Sequence, residues 1–280
     1  MTKTVLITGC SSGFGQATAR RFVASGWNVV ATMRNVTSAG DLNGQSNIFV
    51  TRLDVQDPAS VAKAIEQAID RFGHIDTLIN NAGFGLHGVF ETILPEKVQE
   101  QFDVNVFGMM TVTRALLPHF RARRAGTIVN VSSGAGVFTL PLISLYCASK
   151  FALEGFSEAL TYELAPLGIA VKLVEPGGSL STNFGSRSRA EGASFTVPSD
   201  YHPIVEDAGR RFQGLMEVAT ATADDVADVI YKAATDGSDQ LRYIATKDIE
   251  PWVRARRETS EAEYIKTMRD AFMAKPIGGT

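Results

Sequence analysis

Short apolar runs alternate with amphipathic stretches along most of the chain. Residues 4–8, 28–32, 48–53, 75–79, 127–131, 168–174 and 241–245 are β-rich and bounded by polar or turn-forming residues. Between them, 13–25, 58–72, 95–123 and 145–164 carry apolar positions at helical spacing. Gly26 stops the first helix, and Asp57 and Gly73 bracket the second as N-cap and terminator. Strands separated by helices of this length imply right-handed βαβ units and a parallel sheet. The expected fold class is therefore α/β: a single-domain, Rossmann-type, doubly wound parallel sheet with helices on both faces. Periodicity weakens over 182–218, which reads as an irregular insertion that could cover a substrate. The tail from 251 to 275 reads as a charged helix with a solvated face.

Length and composition narrow the class. At 280 residues with 45% apolar and 20% charged side chains, the chain can bury a core without disulfide or metal staples. No Pro/Gly/Ser linker divides it, so residues 1–280 are read as one domain. A formal charge of -3 argues against nucleic-acid binding through the phosphate backbone. Cys10 and Cys147 form no CxxC and no cysteine–histidine cluster, which suits reduced thiols, a cytoplasmic setting and no metal site. Residues 125–149 carry no formal charge, yet Asn130, Ser132, Ser133, Gly134, Gly136 and Pro141 make them a poor membrane span. They read as a buried strand running into an active-site loop.

The first strand ends in Thr8-Gly9-Cys10-Ser11-Ser12-Gly13-Phe14-Gly15, directly before a helix. Such a turn brings backbone amides to a pyrophosphate at a helix N-terminus. The spacing is G-x-x-x-G-x-G rather than the general dinucleotide fingerprint. No acid lies between Ala31 and Asn35, where NAD-binding folds place the residue that holds the ribose 2′-hydroxyl; Arg34 stands there instead. That exchange favours NADP(H) over NAD(H). Asp54, followed by Val55, could accept from the adenine amine or cap a turn. Asn81-Ala82-Gly83 follows the fourth strand, at the edge where open α/β sheets bind ligands.

Tyr146 and Lys150 lie four residues apart on one helix face. A neighbouring ammonium stabilises phenolate, which makes Tyr146 a candidate general acid/base for carbonyl–alcohol interconversion. Ser133, just past the fifth strand, can reach the same substrate oxygen. Asn105 sits inside the 95–123 helix, where asparagine is a poor helix former. It marks either an interruption that holds a water or an ordinary surface position.

Taken in order, Thr8-Gly9 with Gly13 and Gly15, Asn81-Ala82-Gly83, Asn105, Ser133, Tyr146 with Lys150, and Pro176-Gly177 resemble the short-chain dehydrogenase/reductase family over residues 3–185. The segments around Gly9–Gly13 and Tyr146–Gly155 are similar to its 17β-hydroxysteroid and retinol dehydrogenase branch. The resemblance implies that Tyr146 donates the proton and Ser133 bonds the same oxygen. Lys150 would bind the nicotinamide ribose and lower the tyrosine pKa, and Asn105 would hold a relay water. Hydride would pass between the nicotinamide and the substrate carbon. Gly9, Ser11, Ser12, Gly13, Phe14, Gly15, Arg34, Asp54, Val55, Asn81, Ala82, Gly83, Tyr146, Lys150, Pro176, Gly177 and Thr182 are then the expected cofactor contacts. The family places a threonine five residues after the proline, whereas here Ser181 holds that position and Thr182 follows, so either hydroxyl fits.

The expected activity is NADP(H)-dependent interconversion of a ketone or aldehyde and an alcohol on an apolar small molecule, steroid-, retinoid- or xenobiotic-like. Phe84, Leu86, Phe138, Leu142, Phe184 and Phe195 are candidate pocket walls. The rival is a catalytically silent NADP(H)-sensing protein on the same fold. The four histidines show no metal spacing; His87 could line the pocket or be structural. The resemblance also implies a homodimer or homotetramer through the helices bearing Asn105 and Tyr146, with Met109, Phe120 and Phe156 as outward positions.

Overall fold

The structure, a computed structural model, describes residues 2–178, 188, 196–218 and 220–273. Seven strands form one sheet: β1 (Thr4–Ile7), β2 (Asn28–Met33), β3 (Ile48–Arg52), β4 (Thr77–Asn80), β5 (Gly126–Val131), β6 (Ile169–Glu175) and β7 (Arg242–Ile244). Their order is β3-β2-β1-β4-β5-β6-β7, and every neighbouring pair is parallel. The chain winds outward from β1 to β3, then returns to place β4 on the other side of β1. That reversal opens a crevice between the C-terminal ends of β1 and β4.

Alternation along the strands decides which layer each residue feeds. Val5 and Ile7 of β1 pack with Phe22 of α1 (Gly13–Ala24) and with Val226 and Ile230 of a helix over Ala223–Thr235. Leu6 points the other way, into a cluster with Val61 and Ile65 of α2 (Pro58–Phe72), Leu116 and Phe120 of α4 (Met109–Arg123) and Leu160 of α5 (Ser144–Leu164). Both sheet faces are covered, so the strands are apolar on both sides.

Three sequence expectations need correction. The helix expected over 95–123 is two helices, α3 (Pro95–Phe102) and α4, joined by a π-helical turn at Asp103–Gly108. Residues 202–218 are not irregular: α6 (His202–Val218) carries Ile204, Ala208 and Phe212 at four-residue spacing, a signal diluted by Gly209, Gly214 and an arginine pair. It precedes α7 (Ala223–Thr235), opened by a Thr222–Asp225 capping box. The tail is two helices, α8 (Glu250–Glu258) and α9 (Glu261–Phe272), rather than one solvated helix. Each has one apolar stripe, and Val253, Tyr264 and Met268 are buried against Val137 and Phe138.

Candidate active site

The crevice at the β1/β4 reversal is held by one threonine. Thr8 Oγ1 accepts from the Asn81 and Ala82 amides, both at 3.0 Å, while Asn81 Nδ2 donates to the carbonyls of Thr8 at 2.9 Å and Gly9 at 3.2 Å. The glycine turn folds so closely that a Cβ on Gly15 would lie 2.2 Å from the Gly9 carbonyl oxygen. Only glycine fits there. Gly9 itself takes a positive φ of 75°.

A cleft of about 380 Å³ runs along the C-terminal edge of the sheet. Gly9, Ser11, Ser12, Gly13 and Phe14 line one part, and Arg34, Asp54 and Val55 line the adjacent wall. Asn81, Ala82, Gly83, Ser133, Tyr146, Lys150, Pro176 and Gly177 complete it. The start of α1 carries no side-chain cap, which leaves first-turn amides for an anion. Arg34 is exposed at the rim and has no carboxylate partner among the described residues. Asp54 serves the turn, accepting from the Gln56 amide at 3.2 Å, and also faces the cleft. A long cleft with a glycine cradle, a basic rim and a polar far end fits a dinucleotide.

One expected cofactor contact, Gly15, and the expected holder of a relay water, Asn105, do not line this cleft. Gly15 is buried behind the turn, where its role is close packing. Asn105 lies one layer deeper, inside the π-helical turn. Thr182 and Ser181, with the candidate walls Phe184 and Phe195, lie outside the described residues. Of the other expected walls, Phe84 lines the cleft, whereas Leu86 and Phe138 are core. Leu142 is half-buried, with a positive φ of 60° and its carbonyl accepting from the Gly88 amide. His87 meets Phe212 of α6 edge-on, with ring centres 5.5 Å apart.

At the far end, β5 and α5 bring Ser133, Tyr146 and Lys150 together. Ser133 caps the short turn Gly134–Gly136, accepting from the Ala135 amide at 3.1 Å. Tyr146 is buried, and that burial raises its phenol pKa; a hydrogen bond with the Ser133 hydroxyl opposes the rise. The phenol therefore sits above its ordinary range here, the reverse of the lowering expected from Lys150. Lys150 Nζ donates to the Val131 carbonyl at 2.8 Å and stands 5.7 Å from the Tyr146 ring centre. Burial lowers the lysine to about 8, partly countered by Glu154 one turn further along α5. Such perturbed groups gathered in a cleft are a functional-site signature.

Several supporting residues left no mark in the sequence. Gln101, fully buried, accepts from the Leu86 amide at 3.0 Å and donates to the Phe84 carbonyl at 2.5 Å. Ser149 accepts from Asn105 Nδ2 at 3.1 Å and donates to the Tyr146 carbonyl at 2.8 Å. Beneath the cleft, Asn80 donates to Asn130 and Asn130 to Ser157, both at 2.8 Å. Asn80 and Asn130 are paired in register across β4 and β5, which only the sheet order reveals.

Comparison with known proteins agrees with this geometry. Residues 3–192 match the short chain dehydrogenase family. The chain is 34% identical to human 17-beta-hydroxysteroid dehydrogenase type 1 over 284 residues, covering 96% of this chain and 85% of the other. It is 34% identical to Bos taurus retinol dehydrogenase 8 over 282 residues, 95% and 88% of the two chains. A Streptomyces avermitilis short-chain dehydrogenase superposes with a TM-score of 0.81 at 31% identity, over 96% of this chain and 97% of its own. A Burkholderia phymatum family member solved in complex with NAD gives 0.78 at 26% identity, over 99% and 98%.

Fold and site together define an oxidoreductase that uses a nicotinamide cofactor. The chain belongs to the short-chain dehydrogenase/reductase family.

Proposed function

We propose that this protein is an NADP(H)-preferring reductase that interconverts a ketone or aldehyde and the corresponding alcohol on an apolar small molecule. One observation carries the reading: the buried Tyr146 phenol bonds to Ser133 with Lys150 beside its ring, at one end of a glycine-cradled cleft. Tyr146 holds the proton that the carbonyl oxygen takes up, and Ser133 gives that oxygen a second hydrogen bond. Lys150 places positive charge beside the phenolate that remains and offers further N–H donors to a ribose. The bound nicotinamide supplies or accepts the hydride. Similarity to a hydroxysteroid dehydrogenase and a retinol dehydrogenase favours a steroid- or retinoid-like substrate.

Arg34, exposed at the rim with no acid beside it in sequence, supports NADP(H) over NAD(H). Free, buried Cys10 and Cys147 suit a reducing cytoplasm. Among the described residues no helix is long and apolar enough to cross a membrane. A homodimer or homotetramer would use α4 and α5. Met109 and Phe120, expected outward, are core, and Phe156 is partly buried against core; the exposed aromatics in this region are Phe107, Phe151 and Tyr162.

A silent cofactor sensor would not need Ser133, Tyr146 and Lys150 gathered at one point. The test is consumption of NADPH and NADH against a panel of steroid ketones, retinal and simple aryl ketones. Turnover of a panel member supports the reading; cofactor binding without turnover of any supports the sensor.

A further inference from the structure

Residues Pro176, Gly177 and Gly178 form the corner where the chain leaves β6, and all three line the cleft beside Ser133 and Tyr146. The corner is tied to the Ser133 turn: the Pro176 carbonyl accepts from the Gly134 amide at 2.8 Å and from Ser133 Oγ at 3.5 Å. Its other ties come from the segment that follows β7, outside the 3–192 match to the family. The Gly177 amide donates to Thr246 Oγ1 at 2.8 Å, and the Gly178 amide to Asp248 Oδ2 at 3.0 Å.

The residue before the corner is gripped by the same segment. Glu175 is fully buried, accepts a forked pair from Arg257 at 2.6 and 3.2 Å, and accepts at its carbonyl from the Ala245 amide at 3.0 Å. A Cβ on Gly177 would lie 2.4 Å from Asp248 Oδ2 and 2.6 Å from Thr246 Oγ1. Both corner amides are therefore spent on side chains, and the space behind Gly177 is full.

We propose that Thr246 and Asp248 are positioning residues for hydride transfer, fixing the corner that bounds the reacting end of the cleft. The proposal rests on the nicotinamide reading above. The reacting end is the one that holds Tyr146 and Ser133, so a shift of the corner moves both that wall of the cleft and the carbonyl that Ser133 bonds. Misplacement by about 1 Å costs up to 100-fold in rate in such settings.

The experiment uses full-length protein with the nicotinamide cofactor that the wild type binds more tightly, and the matching ADP-ribose fragment, which lacks nicotinamide. Thr246→Val and Asp248→Ala should each lower kcat about 10-fold, the scale of one unsatisfied buried donor. The primary isotope effect from deuterated reduced cofactor should rise, and fragment affinity should stay within about twofold of wild type. Thr246→Ser and Asp248→Asn, which keep an acceptor, should restore most of the rate. Unchanged kcat, or fragment affinity falling in step with it, overturns the proposal. If Asp248→Ala does not fold, the near-isosteric Thr246→Val decides. A wild type that binds no nicotinamide cofactor overturns the functional reading along with the proposal; a binding wild type whose variants match it overturns the positioning role alone.

Discussion

Asn105 pairs with the backbone of Phe84 as a neighbouring strand would: its Oδ1 accepts from the Phe84 amide at 3.0 Å and its Nδ2 donates to the Phe84 carbonyl at 2.8 Å. Through Ser149 the same amide group reaches the helix of Tyr146. A side-chain amide presents an acceptor and a donor side by side, as this pairing requires. Asn105→Asp should therefore lower unfolding stability by at least about 1–3 kcal/mol, since a buried carbonyl loses its donor and gains a charged neighbour. Denaturant melts will show it, and an unchanged midpoint counts against the pairing as a structural tie.

Tyr146→Phe keeps the ring but removes the proton. Carbonyl reduction should fall by about 100-fold or more, with cofactor affinity and melting temperature nearly unchanged. Because the hydroxyl is buried and bonded to Ser133, Ser133→Ala should also slow turnover while leaving cofactor binding intact. Wild-type rates in Tyr146→Phe on a confirmed substrate would show that another group delivers the proton.

Cofactor choice should follow Arg34. A charge-assisted bond to a 2′-phosphate contributes about 1.5–3 kcal/mol, or roughly a 10- to 150-fold preference for NADPH. Arg34→Ala should remove most of that gap, and Met33→Asp should turn it toward NADH. Titration of both reduced cofactors by fluorescence decides; equal dissociation constants in the wild type reject the preference.

His119 gives the fold an acid limit. Its Nε2 accepts from the Ile75 amide at 3.1 Å. Burial holds the imidazole below its ordinary range, reinforced by Arg123 and His74 and opposed by the Ile75 carbonyl, 3.2 Å from Nε2, and by Asp76. The unfolded chain then binds a proton that the folded one resists. This share of stability is complete above an ordinary histidine pKa of about 6.5 and is lost as pH falls below it. His119→Gln, which keeps an acceptor, should flatten the drop in melting temperature between pH 7 and about 5.5. An equally steep drop in the variant assigns it to other groups.

Association through α5 and the turn that leads into α4 should depend on the aromatics exposed there. Wild-type protein at micromolar concentration should scatter light as a dimer or larger, and Phe107→Glu with Phe151→Glu should reduce it to about 30 kDa. A wild type already at that mass removes the oligomer.

The sheet was legible because parallel strands covered on both faces are short, nearly continuous apolar runs. The Tyr146–Lys150 pair was legible because four residues on a helix fix its geometry locally. What escaped depends on distant partners. Thr246 and Asp248 are an ordinary hydroxyl and carboxylate until they meet amides 69 and 70 residues away. Tail burial was hidden because charges interrupt the apolar positions throughout 250–272, so Trp252, Val253, Tyr264, Ile265 and Met268 form no continuous run. Asn105 signalled a helix irregularity, but not the wider turn that absorbs it.

That wider turn sets the rotational phase of everything downstream. Gln101, Asn105, Met109 and Thr113 are all buried, spaced four apart. On an unbroken α-helix each such step overshoots a full turn by about 40°, and three steps would carry the last residue some 120° round the axis. A π turn advances less per residue and takes back part of that drift, keeping these four buried side chains close to one line. Deleting a single residue between 103 and 108 would let the turn close to an ordinary α-helix, with Gln101 and Thr113 only about 20° out of line. Adding one would instead swing α3 by about 100° against α4 and aim Gln101 away from the loop it holds. The wide turn takes up one residue without loss of phase, and the loop at the mouth of the cleft keeps both of its anchors because of it.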